Sequence, residues 1–166
     1  MGEKFMMNLL FSPKGRINST DFMRGVIVLI VISAILTLLP LAHPKLMMVG
    51  MLGLILYWCW IVLYIKRLHD AGKSGWLVLA ILVVFIGVSY FVGNFVQSTF
   101  APDVKQAMDA ASTSGDLTEV LALAGELTKK LALPSAISSS VVSYGVAFLV
   151  NKFLSHDPEE NQYGPA

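Results

Sequence analysis

The sequence alternates between long apolar runs that contain no charge and short segments that carry the charged residues. A membrane-crossing helix needs about 20 mostly apolar residues, because it must cross roughly 30 Å of hydrocarbon at 1.5 Å per residue. Four runs fit this requirement, at residues 25–42, 46–65, 76–96 and 134–151. The pattern predicts an all-α fold, a four-helix transmembrane bundle that forms a single integral membrane domain over residues 1–166.

Residues 103–130 form the only sizeable segment outside the predicted spans and lie between spans three and four. Apolar residues at helical spacing occur in its first part, at Val104, Ala107, Met108 and Ala111. Asp116 and Glu119 then have the spacing of a capping box. One face of the following helix carries Leu117, Val120, Leu121, Ala124, Leu127 and Leu131. We expect two short amphipathic helices on the outer, periplasmic side, either closing the bundle or docking a partner.

Span four carries a stripe of small residues at Ser135, Ser139, Ser143 and Ala147. Small residues let two helices approach closely, and serine hydroxyls can bond across the contact. Two interpretations remain open, packing within the bundle and a seam between copies in a homo-oligomer. Pro134 is expected to kink or break the passage from the outer segment into this span.

The composition supports a membrane protein rather than a soluble one. Only 14% of residues are charged and 55% are hydrophobic, whereas soluble domains have roughly 25% charged residues. The formal net charge of +1 gives no electrostatic footprint for nucleic-acid binding. Cys59, the single cysteine, lies within an apolar run and is expected to be a packing residue.

The lysines and arginines are distributed unevenly between the two sides of a four-span bundle, which predicts its orientation. One side contains both termini and the turn between spans two and three. It holds Lys4, Lys14, Arg16, Arg24, Lys66, Arg67, Lys73 and Lys152. The other side holds Lys45, Lys105, Lys129 and Lys130. This bias places the N-terminus and the C-terminus in the cytoplasm.

The densest group of charged residues is the stretch KRLHDAGKSGW, residues 66–76, at the predicted cytoplasmic turn. Arg67 at the end of span two complements the helix dipole, and Ser74 is placed to cap the next helix. Asp70 is unfavourable in a last helical turn and needs a basic partner. Candidate partners for Asp70 are Lys66, Arg67 and Arg16.

A second interpretation of the same turn is a site for an anionic lipid headgroup. Lys66, Arg67 and Lys73 surround the start of span three, and helix N-termini attract anions. Basic pockets at the cytoplasmic face commonly hold lipid headgroups. Trp76, which opens span three, is typical of the membrane interface.

The turn has no convincing catalytic or metal-binding pattern. The residues GKS at 72–74 lack the first glycine of a phosphate-binding loop, because Arg67 occupies its position. His69 and Asp70 are neighbours in sequence and do not face each other on a helix. His43, His69 and His156 have no metal-ligand spacing. We therefore expect no enzymatic activity, no metal and no cofactor.

Three pieces of the sequence resemble the bacterial membrane proteins known as "domain of unknown function 805". The stretch RLHDAGKSGW at 67–76 resembles the central signature of this family, and Gly15–Arg16 with Phe22 resembles its N-terminal piece. The tail NQYGP resembles its C-terminal ending through Asn161, Tyr163, Gly164 and Pro165. Ser19 and Met23 depart from the family pattern, and 103–130 is longer than that pattern suggests. The resemblance covers about residues 11–100 and the tail.

The resemblance implies a multi-pass protein of the bacterial inner membrane and supplies no reaction. All three matching pieces fall on the predicted cytoplasmic side, so we expect them to meet, with Arg16 or Arg67 pairing with Asp70. The function predicted is a non-catalytic scaffold or interaction protein. Its expected partners are membrane lipids, a second copy of the chain or another membrane protein. The alternative is a small oligomeric transporter or channel, although the apolar spans lack the ionisable residues typical of one.

Overall fold

The computed structural model describes residues 10–43, 49 and 52–164. Over these residues the chain is all-helical and contains no strand, apart from an isolated bridge between Asn161 and Gly164. The five α-helices are α1 (Ser19–Ala42), α2 (Gly53–Asp70), α3 (Val78–Phe100), α4 (Pro102–Ser114) and α5 (Leu117–Phe153). A 3₁₀ turn at Gly75–Leu77 leads into α3. The predicted all-α class is confirmed.

Three helical stretches are long and apolar enough to cross a membrane, at Ser19–Ala42, Gly75–Phe100 and Leu117–Phe153. They contain the first, third and fourth predicted spans. Most of the first six residues of the second predicted span, 46–65, lie outside the described residues. Residues 53–65 of this span belong to α2, which ends in the charged group of Lys66, Arg67 and Asp70.

The helix ends follow local sequence signals. Asn18 precedes α1 and its side chain accepts a hydrogen bond from the backbone N–H of Asp21 at 2.8 Å. Asp116 caps α5 by accepting from the backbone N–H groups of Thr118 and Glu119, as the sequence predicted. Gly115 ends α4 in the left-handed region at φ 78°, where a residue without Cβ is favoured.

Helix α5 combines the predicted outer helix and the fourth span in one continuous element of 37 residues. The sequence predicted a kink or a break at Pro134; the helix runs through Pro134 without a break. A proline removes one backbone hydrogen bond and costs about 3 kcal/mol, but Leu131, Ala132 and Ala136 are buried on both sides of it. At 1.5 Å per residue, α5 is about 56 Å long and therefore exceeds the roughly 30 Å of a hydrocarbon core.

The helices bury two separate apolar clusters. Helix α5 contacts α1, α3 and α4, and α2 packs on α1, whereas contacts between α2 and α3 are sparse. The larger cluster lies at the end of the molecule that carries the 71–74 turn. It consists of Leu10, Ile17, Phe22, Val26, Leu29, Cys59, Leu63, Tyr64, Leu68, Val78 and Ala147.

The smaller cluster joins α4 to the end of α3 and to the first half of α5. It consists of Val96, Ala101, Val104 and Leu131, with Leu127 packed against it. Leu117 and Leu121 of the predicted apolar face remain 69% and 64% exposed. The start of α5 therefore has an apolar surface that the described residues of the chain leave exposed.

Close packing of α1 on α2 leads to a prediction for Gly25. A Cβ at this buried glycine would lie 2.7 Å from Cδ1 of Leu63, which is itself fully buried. We expect Gly25→Val to lower the free energy of unfolding by about 1–3 kcal/mol, because it overpacks this contact. Thermal unfolding in detergent would measure the change. Gly87→Val is the matched control, since nothing lies within 4 Å of a Cβ there, and equal losses in both variants would contradict the packing account.

Candidate functional site

Two distant parts of the sequence, the segment before α1 and the C-terminal tail, converge on Asp70, the last residue of α2. The Asp70 side chain is only 2% exposed, so its negative charge is almost fully removed from water. Arg16, Arg67 and His156 each contact its carboxylate. We call these four residues the Asp70 cluster. A buried carboxylate of this kind needs compensating positive charge and hydrogen bonds.

Arg67 connects the end of α2 to the end of α5. Its Nη1 donates to Oδ2 of Asp70 at 2.5 Å, and its Nε donates to Oδ1 of Asn151 at 2.7 Å. Its Nη2 donates to the backbone carbonyl of Leu154. Asn151 in turn donates to Oγ of Ser19 at 2.8 Å, which adds the start of α1 to the network. One buried guanidinium thus holds two helix C-termini together.

Arg16 connects the segment before α1 to the C-terminal tail. Its Nε lies 3.3 Å from Oδ1 of Asp70, and its Nη1 donates to the backbone carbonyl of Glu159 at 2.8 Å. Its Nη2 donates to the backbone carbonyl of Asp157. The backbone N–H of Asp157 also donates to the carbonyl of Asp70 at 2.9 Å. Both arginines that the sequence suggested as partners therefore contact Asp70.

His156 is a member of the cluster that the sequence did not predict. Its Nδ1 lies 2.9 Å and 3.1 Å from the two carboxylate oxygens of Asp70, and its side chain is 46% exposed. Asn151 and Asp157 were missed in the same way. These residues lie more than 80 positions from Asp70 in sequence, and no local pattern marks them.

The C-terminal tail packs over the turn through a second set of contacts. The ring of Tyr163 stacks on the ring of His69, with centroids 3.8 Å apart and planes 4° apart. Asn161 donates from Nδ2 to the backbone carbonyl of His69 at 3.2 Å. Nδ1 of His69 lies 3.1 Å from the carbonyl oxygen of Gly15. The 15–16, 67–76 and 161–164 pieces thus meet in one place.

Glycines allow this close approach at the turn and in the tail. Gly72 has φ +64°, and a Cβ there would lie 3.3 Å from a carboxylate oxygen of Asp157. Gly164 has φ +130° and closes the tail turn by exchanging backbone hydrogen bonds with Asn161. Pro165 lies outside the described residues.

Burial also affects the titration of groups in this region. Desolvation lowers the pKa of His69, and its hydrogen bond to the carbonyl of Gly15 opposes this only in part. Desolvation likewise lowers the pKa of Arg67, against the opposing effect of Asp70. The side-chain hydrogen bond from Asn161 is the main cause that lowers the pKa of Asp157.

The remaining residues of the predicted turn site differ in their exposure to solvent. Lys66 is buried, as is Arg67, whereas Lys73, Ser74 and Trp76 are exposed. Ser74 accepts a hydrogen bond from the backbone N–H of Trp76 at 3.4 Å, as a cap for the following 3₁₀ turn. The three cations that the sequence suggested for a lipid headgroup therefore do not form one exposed surface.

The predicted small-residue stripe on α5 is buried only at one end. Ala147 is buried, Ser135 and Ser143 are half-buried, and Ser139 is exposed. The hydroxyl of Ser139 donates to the carbonyl of Ala136 in its own helix at 3.3 Å. The stripe thus contacts the bundle unevenly along its length.

The Asp70 cluster satisfies its own polar groups. In the described part of the chain, no buried side-chain nitrogen or oxygen lacks a hydrogen-bond partner. The same residues contain no group of three or more histidine, cysteine or acidic side chains suited to a metal ion. The hydrogen bonds of the cluster join the segment before α1, the ends of α2 and α5, and the C-terminal tail.

One comparison with known proteins gives a match. The model of the family described as "Protein of unknown function (DUF805)" matches residues 10–165. This range includes the 103–130 segment, which the sequence motifs had left outside the resemblance. No curated protein and no solved structure matches the chain.

The burial of Asp70 gives a prediction for stability. Asp70→Ala should lower the free energy of unfolding by about 3–5 kcal/mol, because it leaves Arg16 and Arg67 without their anionic partner. Thermal unfolding in detergent would measure it. Asp103→Ala is the control, since the solvent-exposed pair of Asp103 with Lys130 is expected to contribute little to stability. An unchanged unfolding midpoint in Asp70→Ala would refute the structural role.

The lowered pKa of His69 gives a prediction for pH dependence. The unfolded histidine, with a pKa near 6.5, binds a proton more readily than the folded one. The contribution of neutral His69 to the free energy of unfolding is therefore fully present above about pH 6.5. This contribution is lost as the pH falls from about 6.5 through the lower pKa that His69 has in the folded protein. The unfolding midpoint of His69→Gln should decrease less than that of the wild type between pH 7.5 and 5.5, and parallel decreases would exclude this contribution.

Proposed function

The chain belongs to the DUF805 family, and we propose that it is a non-catalytic scaffold or interaction protein of the bacterial inner membrane. The observation that carries this proposal is that the charged groups of the Asp70 cluster bind one another and other segments of the same chain. The guanidinium groups of Arg16 and Arg67 bind Asp70 and backbone carbonyls of the tail and of the end of α5. Such a cluster fixes the shape of one end of the molecule.

The proposal includes four membrane spans. Helix α2 would be the second, because its apolar residues continue the uncharged run that begins at residue 46. The distribution of lysine and arginine supports a cytoplasmic position for both termini and for the Asp70 cluster. The family resemblance supports the bacterial inner membrane. A single bilayer would then leave the opposite end of the molecule, with α4 and the start of α5, on the periplasmic side.

The outer end is a candidate surface for a membrane-protein partner. The side chain of Lys130 on α5 lies 2.7 Å from Asp103 on α4. Lys105 on α4 donates to the side chains of Asn94 and Ser98 on α3, at 3.2 Å and 3.1 Å. These contacts position the start of α5, where the side chains of Leu117 and Leu121 are exposed. A positioned apolar surface of this kind is typical of interaction sites.

A transporter or channel is less well supported. Polar side chains on two of the candidate spans hydrogen-bond to carbonyls of their own helices. Thr37 donates to the carbonyl of Ser33 at 2.9 Å, and Asn94 donates to that of Tyr90 at 3.0 Å. Both side chains thus use a donor group within their own helix, and these two bonds add no support for a transport pathway.

The proposed interaction can be tested with paired variants on the first turns of α5. Leu117→Glu/Leu121→Glu should dissociate the native complex of the protein, extracted in a mild detergent, by placing charge in its apolar contact. Blue-native electrophoresis would detect the shift to a smaller species. Thr118→Glu/Ala122→Glu changes two exposed positions beside them and should leave the complex intact. A wild-type protein that migrates as a bare monomer, or a complex that both variants retain, would contradict the proposal.

A further inference from the structure

A cleft of about 470 Å³ lies between α2 and the start of α3. Its apolar walls are Ile61 and Ile65 on α2 and Val78 and Leu79 on α3. The cleft exists because α2 and α3 diverge after their connecting turn and make few contacts. Its volume lies within the range of about 300–1,000 Å³ found for small-molecule sites. An apolar cleft of this size between two membrane helices can accommodate part of a lipid.

The polar groups of the cleft are confined to one end. Ile61, Ile65 and His69 are spaced by four residues, so they form one stripe along α2 that changes from apolar to polar towards the turn. The stacked rings of His69 and Tyr163 lie at this polar end, together with the hydroxyl of Ser74. Trp76 is exposed beside this polar end, and exposed tryptophans are typical of the membrane interface, so we place the polar end near that interface. The arrangement matches the chemistry of a lipid, with an apolar chain below and a polar headgroup above.

The charge at the polar end favours an anionic headgroup. Lys73 precedes Ser74 and is exposed, and Lys14 precedes Gly15, whose carbonyl contacts His69. Among the described residues neither lysine forms an ion pair with an acid. A carboxylate oxygen of Asp157, which lies close to Gly72, accepts a hydrogen bond from Asn161 at 3.0 Å. Lys73 directly precedes Ser74, which lines the polar end of the cleft, so its ammonium group is available to an anionic headgroup bound there.

We propose that this cleft holds one anionic phospholipid. Its acyl chain lies along Ile61, Ile65 and Leu79, and its phosphate contacts the Ser74 hydroxyl and the Lys73 ammonium. This site differs from the one that the sequence suggested, because Arg67 is buried in the Asp70 cluster and does not participate. The proposal rests on the membrane placement proposed above and is independent of partner docking at the start of α5.

The test measures lipid bound per chain. The protein is reconstituted in nanodiscs of equal parts phosphatidylglycerol and phosphatidylethanolamine, released, and analysed by native mass spectrometry. Leu79→Trp fills the cleft, and Val84→Trp is its control, because the two side chains are 53% and 57% exposed on different faces of α3. Lys73→Glu reverses the charge at the entrance, and Lys152→Glu reverses another exposed lysine at the same end of the molecule.

The wild type should retain one phosphatidylglycerol per chain, and Leu79→Trp and Lys73→Glu should each retain at least fivefold less. Both control variants should bind lipid as the wild type does. Equal retention of the two lipids, or equal retention by all variants with unchanged unfolding midpoints, would overturn the proposal. If the protein instead remained in solution without detergent, the membrane placement itself would fail, which is a distinguishable result.

Discussion

The structure depends on the requirement that the negative charge of a buried carboxylate be balanced by positive charges and hydrogen bonds. Asp70 lies at the end of α2, where the helix dipole disfavours a negative charge, and its side chain is almost inaccessible to water. Burial of a lone ionised group costs several kcal/mol, so such a residue persists only with close cationic and hydrogen-bonding partners. Arg16 and Arg67 supply them from two directions. The segment before α1, the end of α5 and the tail are thereby brought to one point.

The two ends of the molecule are held by different physical means. At the Asp70 end, buried charges and directional hydrogen bonds fix the chain, and the ring of Tyr163 covers His69. At the other end, α4 is held by a small apolar cluster and by the exposed pair of Lys130 with Asp103. Solvent-exposed ion pairs contribute little to the free energy of unfolding. The outer end is therefore expected to adjust more easily to a partner, whereas the Asp70 end keeps its shape.

The sequence predicted the helices better than it predicted the site. Apolar runs and the cap at Asp116 mark the elements, because span length and capping depend on neighbouring residues. Continuity of α5 through Pro134 was not predictable, since it depends on packing from other helices. The sequence identified Arg67 as a charged residue but could not show that it turns inward. Asn151 and His156 were not recognised, because their roles arise only when the chain folds.

The most direct test of this account is a double-mutant cycle between Arg16 and Asp70. The free energy of unfolding is measured in detergent for the wild type, Arg16→Gln, Asp70→Asn and the double variant. If the buried pair joins the N-terminal segment to α2, the two single variants should together lose more free energy of unfolding than the double variant does. The sum of the two single losses should exceed the loss in the double variant by at least about 1 kcal/mol. Strictly additive losses would show that the two side chains act independently, and the central role of Asp70 would be wrong.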